Sequence, residues 1–189
     1  MTGLFSSRGR TRRILVLLLV AGAILRFVSL KWDEGHHLHP DERFISMVEE
    51  KLSMPDRLSD YFDSTRSSLD PYNRGYGSFV YGTLPVLLAK GVGKLIGKTG
   101  YDGTYLVGRV LSGLFDLLTA WLAYLITRRA APRLGRGAAG LAAGLLVFCP
   151  LAIQLSHFWT VDTFLTTFTA LTLLGAVRHA SGRSGPWED

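Results

Sequence analysis

Apolar residues along this chain gather into blocks rather than into stripes along one face of a helix. Four blocks have the length of a bilayer crossing, roughly 20 residues: 14–30, 104–126, 138–155 and 158–177. The last two are so closely joined that they predict a tight helical hairpin. A fifth stretch, 82–96, is interrupted by Pro85, Gly91 and Gly93 and carries Lys90 and Lys94, with Lys98 just beyond. It predicts a helix lying in the outer interface with its lysines snorkelling to water, rather than a crossing. Residues 44–52 read as a short helix. The pattern therefore predicts an all-α membrane protein with about four transmembrane helices and interfacial helices in a long first outer loop.

Charge sets the orientation. The chain carries a net charge of +6, and 48% of its 189 residues are hydrophobic. Its arginines sit at the ends of the apolar blocks instead of forming a basic stripe interleaved with aromatics, so the basicity reads as topology and not as nucleic-acid binding. Arg8, Arg10, Arg12 and Arg13 precede the first block, Arg128, Arg129, Arg133 and Arg136 separate the second from the third, and Arg178 and Arg183 follow the fourth. By the positive-inside rule both termini are cytoplasmic. Residues 31–103 carry nine Lys or Arg against eleven Asp or Glu and fall on the outer side. The predicted organisation is a basic N-terminus over 1–13, a first crossing over 14–30, an outer loop over 31–103, three crossings within 104–177 and a tail over 178–189 that reads as a loop cut short, as in a fragment. The basic run and first block look like a signal peptide, but the apolar stretch continues past Arg26 and Lys31-Trp32-Asp33-Glu34 offers no small-residue cleavage site. The lone Cys149 excludes an intrachain disulfide and a cysteine-based zinc cluster.

A charge inside a crossing costs ~2.5 to 3.5 kcal/mol on insertion scales and so demands a partner, a cavity or a function. Arg26, Arg109, Asp116 and Asp162 are such residues. Arg26 reads either as a snorkelling anchor or as a functional cation. Arg109, Ser112, Gly113 and Asp116 share one helical stripe, which should face protein, and structural pairing is the plain reading of Asp116. Gly140 and Gly144 make a small-xxx-small pattern that serves helix packing.

The most unusual stretch is His36-His37-Leu38-His39-Pro40-Asp41-Glu42-Arg43-Phe44. Asp41 and Glu42 after Pro40 suit the positive end of a helix. With histidines such as His39 beside them, they equally suit a divalent-metal site or a general base. Topology adds weight to the chemical reading, because Asp41 and Glu42, Arg109 and Asp162 all map to the outer face. A cavity there would join carboxylates able to act on a hydroxyl with an arginine able to hold a phosphate.

At these residues the sequence resembles the GT-C glycosyltransferases of the protein O-mannosyltransferase and aminoarabinose-transferase type, including their phospholipid-carrier-dependent relatives. The resemblance rests on Leu25-Arg26-Phe27, the His-Pro-Asp-Glu of residues 39 to 42, Tyr81-Gly82-Thr83-Leu84-Pro85, Gly108-Arg109-Val110-Leu111-Ser112, and the stretch from Cys149-Pro150 to Asp162. It implies that Asp41, with Glu42 beside it, is the catalytic base. It also implies that Asp162 takes part in metal or donor-phosphate binding, the metal for which His39 is a further candidate ligand on local chemistry, and that Arg109 matches a recurrent arginine of the second helix. Arg109, with Arg26, is then the candidate for holding donor phosphate. The expected activity is transfer of a sugar from a polyprenyl-phosphate carrier to an acceptor protein, lipid or glycan at the extracytoplasmic face of the cell membrane, with a divalent metal as the one expected cofactor and membrane lipids as partners. Such enzymes carry more helices than this length supplies, so the chain alone is expected to be only the N-terminal portion of one. The alternatives are a non-catalytic assembly subunit and a small transporter whose path is lined by Arg109, Asp116 and Asp162.

Overall fold

A computed structural model of the chain describes residues 7–55 and 57–182. Among these, the regular elements are all helical: α1 (Ser7–Phe27), α2 (Pro40–Lys51), α3 (Leu58–Phe62), α4 (Leu84–Ile96), α5 (Tyr101–Ala130), α6 (Gly135–Val147), α7 (Pro150–Ser156) and α8 (Asp162–Ala180). Short 3-10 turns lie at Tyr72–Arg74 and Pro132–Leu134. The all-α class expected from the pattern is borne out. The predicted N-terminus and tail fall partly outside the described residues, Arg183 among them. Of the described helices, α5 is long and apolar enough to cross a membrane, and the stretch from Pro132 through α6 and α7 makes a second candidate if its 55° bend lies within one span. α1 is loaded with Arg10, Arg12 and Arg13 at one end, and α8 with threonines, Asp162 and Arg178.

Several boundaries differ from the expectation, each for a local reason. The helix predicted over 44–52 begins at Pro40, which occupies the first turn, where a missing N–H costs nothing. Asp41 and Glu42 fall in that first turn and Lys51 in the last, complementing the helix dipole. The helix predicted over 82–96 is present as Leu84–Ile96 and runs unbroken through its glycines: Pro85 again sits in the first turn, and Gly97, at φ +70°, closes it by donating its N–H to the Gly93 carbonyl. Gly93 is required for close approach, since a Cβ there would lie 2.3 Å from the Lys98 carbonyl oxygen. The block 138–155, read as one span, is broken before Pro150, which has no N–H to offer the Leu146 carbonyl. The last helix starts at Asp162 and not at Phe158, leaving 157–161 as an irregular segment.

The contacts divide the chain into two units: residues up to Val28, Gly113–Ser156 and Asp162 onward form one, and Ser29–Ser112 with His157–Val161 form the other. In the first, α1 packs along α6, with Leu18 3.8 Å from the space above Gly144, and Tyr124, Ala139 and Ala143 form a small core with Leu15 and Leu125 against it. Phe115 of α5 stacks on Phe164 of α8 at 4.4 Å, and the Thr119 and Thr167 hydroxyls meet at 2.8 Å. In the second, α2 lies against α4, burying Ile45, Val48, Val86 and Ala89. The same pair is pinned by Lys90, whose Nζ donates to the buried Glu49 carboxylate at 2.9 Å and to its carbonyl at 3.0 Å. Phe44, Tyr76, Phe79 and Tyr81 form an aromatic cluster on α2's flank.

Candidate active site

In the second unit the site is built around Arg109, wholly buried on α5. Its Nε donates to Glu42 Oε2 at 2.9 Å and its Nη2 to Glu42 Oε1 at 2.5 Å. Nη2 also donates to Asp33 Oδ2 at 2.6 Å, and Nη1 to Asp33 Oδ1 at 3.0 Å and to the Leu30 carbonyl at 2.5 Å. A guanidinium has five N–H donors in a fixed fork, and these five bonds use them all. The Tyr105 and Trp32 rings lie 4.8 Å and 5.7 Å from its central carbon, covering it with aromatic surface. Burial opposes the charge on Asp33, but the bonds from Arg109 and from the Gly35 N–H outweigh it and lower its pKa to about 2.

Glu42 takes one further bond, from the backbone N–H of Trp159 at 2.6 Å. The Trp159 ring lies so close to α5 that a Cβ on Gly108 would come within 2.1 Å of it, which explains the glycine before Arg109. Residues 157–161 thus supply the third donor of a buried carboxylate. His37 packs nearby, buried at φ +48°, stacked 4.1 Å from Tyr101 and tilted against Tyr105 at 4.5 Å, with neither ring nitrogen hydrogen-bonded. Burial lowers its pKa, while the Glu42 and Asp33 carboxylates pull it back up.

Asp41 meets a different environment. It is partly exposed, and its Oδ1 accepts a hydrogen bond from the Tyr81 hydroxyl at 2.9 Å. His39 precedes α2 as its N-cap without a capping bond, its ring 4.4 Å from Phe158 and its Nδ1 buried and unpaired.

In the first unit Arg26 and Asp116 are each other's partner. Arg26 Nε and Nη2 both lie 2.5 Å from Asp116 Oδ2. The same guanidinium donates to the carbonyls of Gly22 at 3.2 Å, Val147 at 3.0 Å and Leu146 at 3.2 Å. Leu146 is the residue whose helical donor Pro150 abolishes, so Arg26 caps the broken end of α6 as well as neutralising Asp116. The stripe of Arg109, Ser112, Gly113 and Asp116 is buried along its length, as expected. Asp162 is exposed in the first turn of α8.

Of the residues singled out in the sequence, Glu42 and Arg109 are in direct contact, Asp41 adjoins them but turns to Tyr81, and Arg26 is bound to Asp116. Sequence reasoning missed Asp33, Trp159 and the Tyr81 hydroxyl as parts of the site. Tyr81 was visible inside a motif, whereas Asp33 and Trp159 gave no signal beyond their type. Among the described residues no three of His, Cys, Asp and Glu are grouped closely enough to hold a metal ion.

Comparison with known families gives the class of protein, a membrane glycosyltransferase of GT-C type. The family model described as dolichyl-phosphate-mannose-protein mannosyltransferase matches residues 86–187, just over half the chain, and the chain belongs to that family. The matched segment starts within α4, so it takes in Arg109 and Asp162 and begins after Asp41 and Glu42. No curated protein and no solved structure matches the chain.

Proposed function

We propose that this chain carries the base of an inverting membrane glycosyltransferase that moves a sugar, mannose by the family's description, from a polyprenyl phosphate to a hydroxyl of a protein acceptor at the extracytoplasmic face. The observation that carries the reading is the contrast between the two adjacent acids. Glu42 is buried with three donors upon it, whereas Asp41 is open and has one. Asp41 takes the proton of the acceptor hydroxyl, the acceptor oxygen forms its bond to the anomeric carbon, and that carbon's bond to the lipid-phosphate oxygen breaks. Glu42 and Arg109 hold the first turn of α2 in place. For Arg109 or Arg26 to bind donor phosphate instead, each would have to release a carboxylate held at 2.5–2.6 Å.

The topology belongs to the same proposal: α1, α5, α6 with α7, and α8 cross the membrane, α4 lies in the outer interface, and both termini are cytoplasmic. Leu84, Leu95 and Ile96 of α4 are exposed while Pro85, Val86, Ala89 and Gly93 are buried, leaving one apolar face for lipid. The step is written on Asp41, and no role in it is assigned to a metal, to His39 or to Asp162. A transporter path lined by Arg109 and Asp116 finds less support, since both are spent in ion pairs. The test is Asp41→Asn in the full-length protein, assayed with dolichyl-phosphate mannose and a serine-containing acceptor peptide. Turnover should fall at least a hundredfold; retention of wild-type turnover would remove Asp41 as the base.

A further inference from the structure

The proposed base has a partner that the reaction scheme does not yet use. Tyr81 is set at the entrance to α4 by the residue after it: Gly82 takes φ +73°, a left-handed conformation that turns the chain before Thr83, the residue at which the helix begins. The ring is wedged 5.9 Å from both Phe44 and Phe79. Phe44 stands three residues after Asp41 on α2, so one helix carries both the carboxylate and part of the wall that locates the tyrosine. The α2 and α4 helices are themselves fixed by the Lys90 to Glu49 ion pair and by Ile45, Val48, Val86 and Ala89. The consequence is a hydroxyl held 2.9 Å from Asp41 Oδ1 by a ring packed between Phe44 and Phe79.

We infer that Tyr81 is a positioning residue for the base, holding Oδ1 of Asp41 so that Oδ2 is presented to the hydroxyl of the acceptor. Among the described residues Oδ2 accepts no hydrogen bond, so one oxygen of the carboxylate is committed and the other is available. A carboxylate with a free χ2 samples many directions; one tied through Oδ1 to a wedged phenol keeps its second oxygen near one line of approach. Orientation of this kind acts on the chemical step, not on ground-state binding of donor or acceptor. The inference rests on the reading of Asp41 as the base.

The experiment compares wild type, Tyr81→Phe and Asp41→Asn in the full-length protein in lipid nanodiscs, with dolichyl-phosphate mannose and a serine-containing peptide as substrates. Tyr81→Phe keeps the ring and its contacts and removes only the hydroxyl. The expected result is a kcat lowered roughly tenfold, with KM for both substrates within about twofold of wild type and an unchanged unfolding temperature. A kcat within about twofold of wild type overturns the inference. So does a loss of rate accompanied by a matching rise in KM or a drop in unfolding temperature, because a merely structural tyrosine would give that pattern. The Asp41→Asn arm separates the two levels of argument. If it is inactive while Tyr81→Phe is normal, only the positioning role fails; if it is active, the base assignment fails and Tyr81 with it.

Discussion

Asp41 and Glu42 are neighbours in sequence, both acidic and both in the first turn of α2, yet replacing each by its amide should produce opposite failures. Glu42 accepts Arg109 Nε and the Trp159 N–H at Oε2, and Arg109 Nη2 at Oε1. In Glu42→Gln the amide oxygen can keep the two bonds at Oε2, but the amide nitrogen then faces Nη2 across a 2.5 Å gap, donor against donor. The variant loses one charge-assisted bond, worth ~1.5–3 kcal/mol, and one charge of a buried cluster, whose disruption typically costs ~3–5 kcal/mol. Asp33 remains bidentate on Arg109 and limits the damage, so the expected loss of stability is about 3 kcal/mol. In Asp41→Asn the side-chain oxygen still accepts from Tyr81, and a partly exposed site should change stability by no more than about 0.5 kcal/mol. Thermal unfolding of the full-length protein in detergent, followed by a near-ultraviolet signal, separates the two. Equal melting temperatures for both variants, or a destabilised Asp41→Asn beside an intact Glu42→Gln, would refute this division between a structural and a reactive acid.

Three further outcomes follow from the same geometry. Gly108→Ala should abolish folding of the site, since its Cβ would lie 2.1 Å from the Trp159 ring at a position fixed on both sides by backbone; limited proteolysis between α7 and α8 would report the released segment. Arg26→Ala should cost ~3–5 kcal/mol because it strands Asp116 and removes the guanidinium from the Val147 carbonyl, and Arg26→Ala with Asp116→Asn should recover part of that loss in unfolding measurements. Asp33 is held at about 2 in the folded chain against about 3.9 in an unfolded one, so its contribution is complete above pH about 4 and disappears as pH falls toward 2. Unfolding midpoints measured across that range should fall with pH in wild type and fall less in Asp33→Asn.

What could be read from the chain and what could not divide along physical lines. Apolar blocks report a local property, and α1, α5 and the helices after Gly135 were legible from them, as was the burial of the stripe through Arg109 and Asp116. Punctuation inside an apolar block was harder to weigh. Pro85, Gly91 and Gly93 look like three interruptions but leave α4 whole, because a proline is harmless in a first turn and packing against α2 tolerates the glycines. Pro150 looks no different on paper and breaks its block, because it falls where the Leu146 carbonyl needed an N–H. Position within the helix, not residue type, decides between the two.

The site turns on the same point at finer scale. Reading Asp41 and Glu42 as a helix cap or as reactive acids treats them as one unit, and an α-helix does not allow that. Successive residues are rotated by about 100°, so the two side chains leave the helix in different directions and meet different neighbours. Glu42 falls in line with Ile45, Ser46 and Glu49, all buried on the inner face of α2. It meets Arg109, while Asp41, one residue earlier in the first turn, meets the Tyr81 hydroxyl. Its separation from Arg109 by 67 residues and from Trp159 by 117 hides the contacts from any local pattern. Counting along α2 does not part the two acids either, since Glu42 lines up with Ser46 and Glu49 and Asp41 with Ile45 and Val48, all of them buried; what other segments bring to each carboxylate decides that Glu42 is closed off by Arg109 and Trp159 and that Asp41 stays open beside Tyr81.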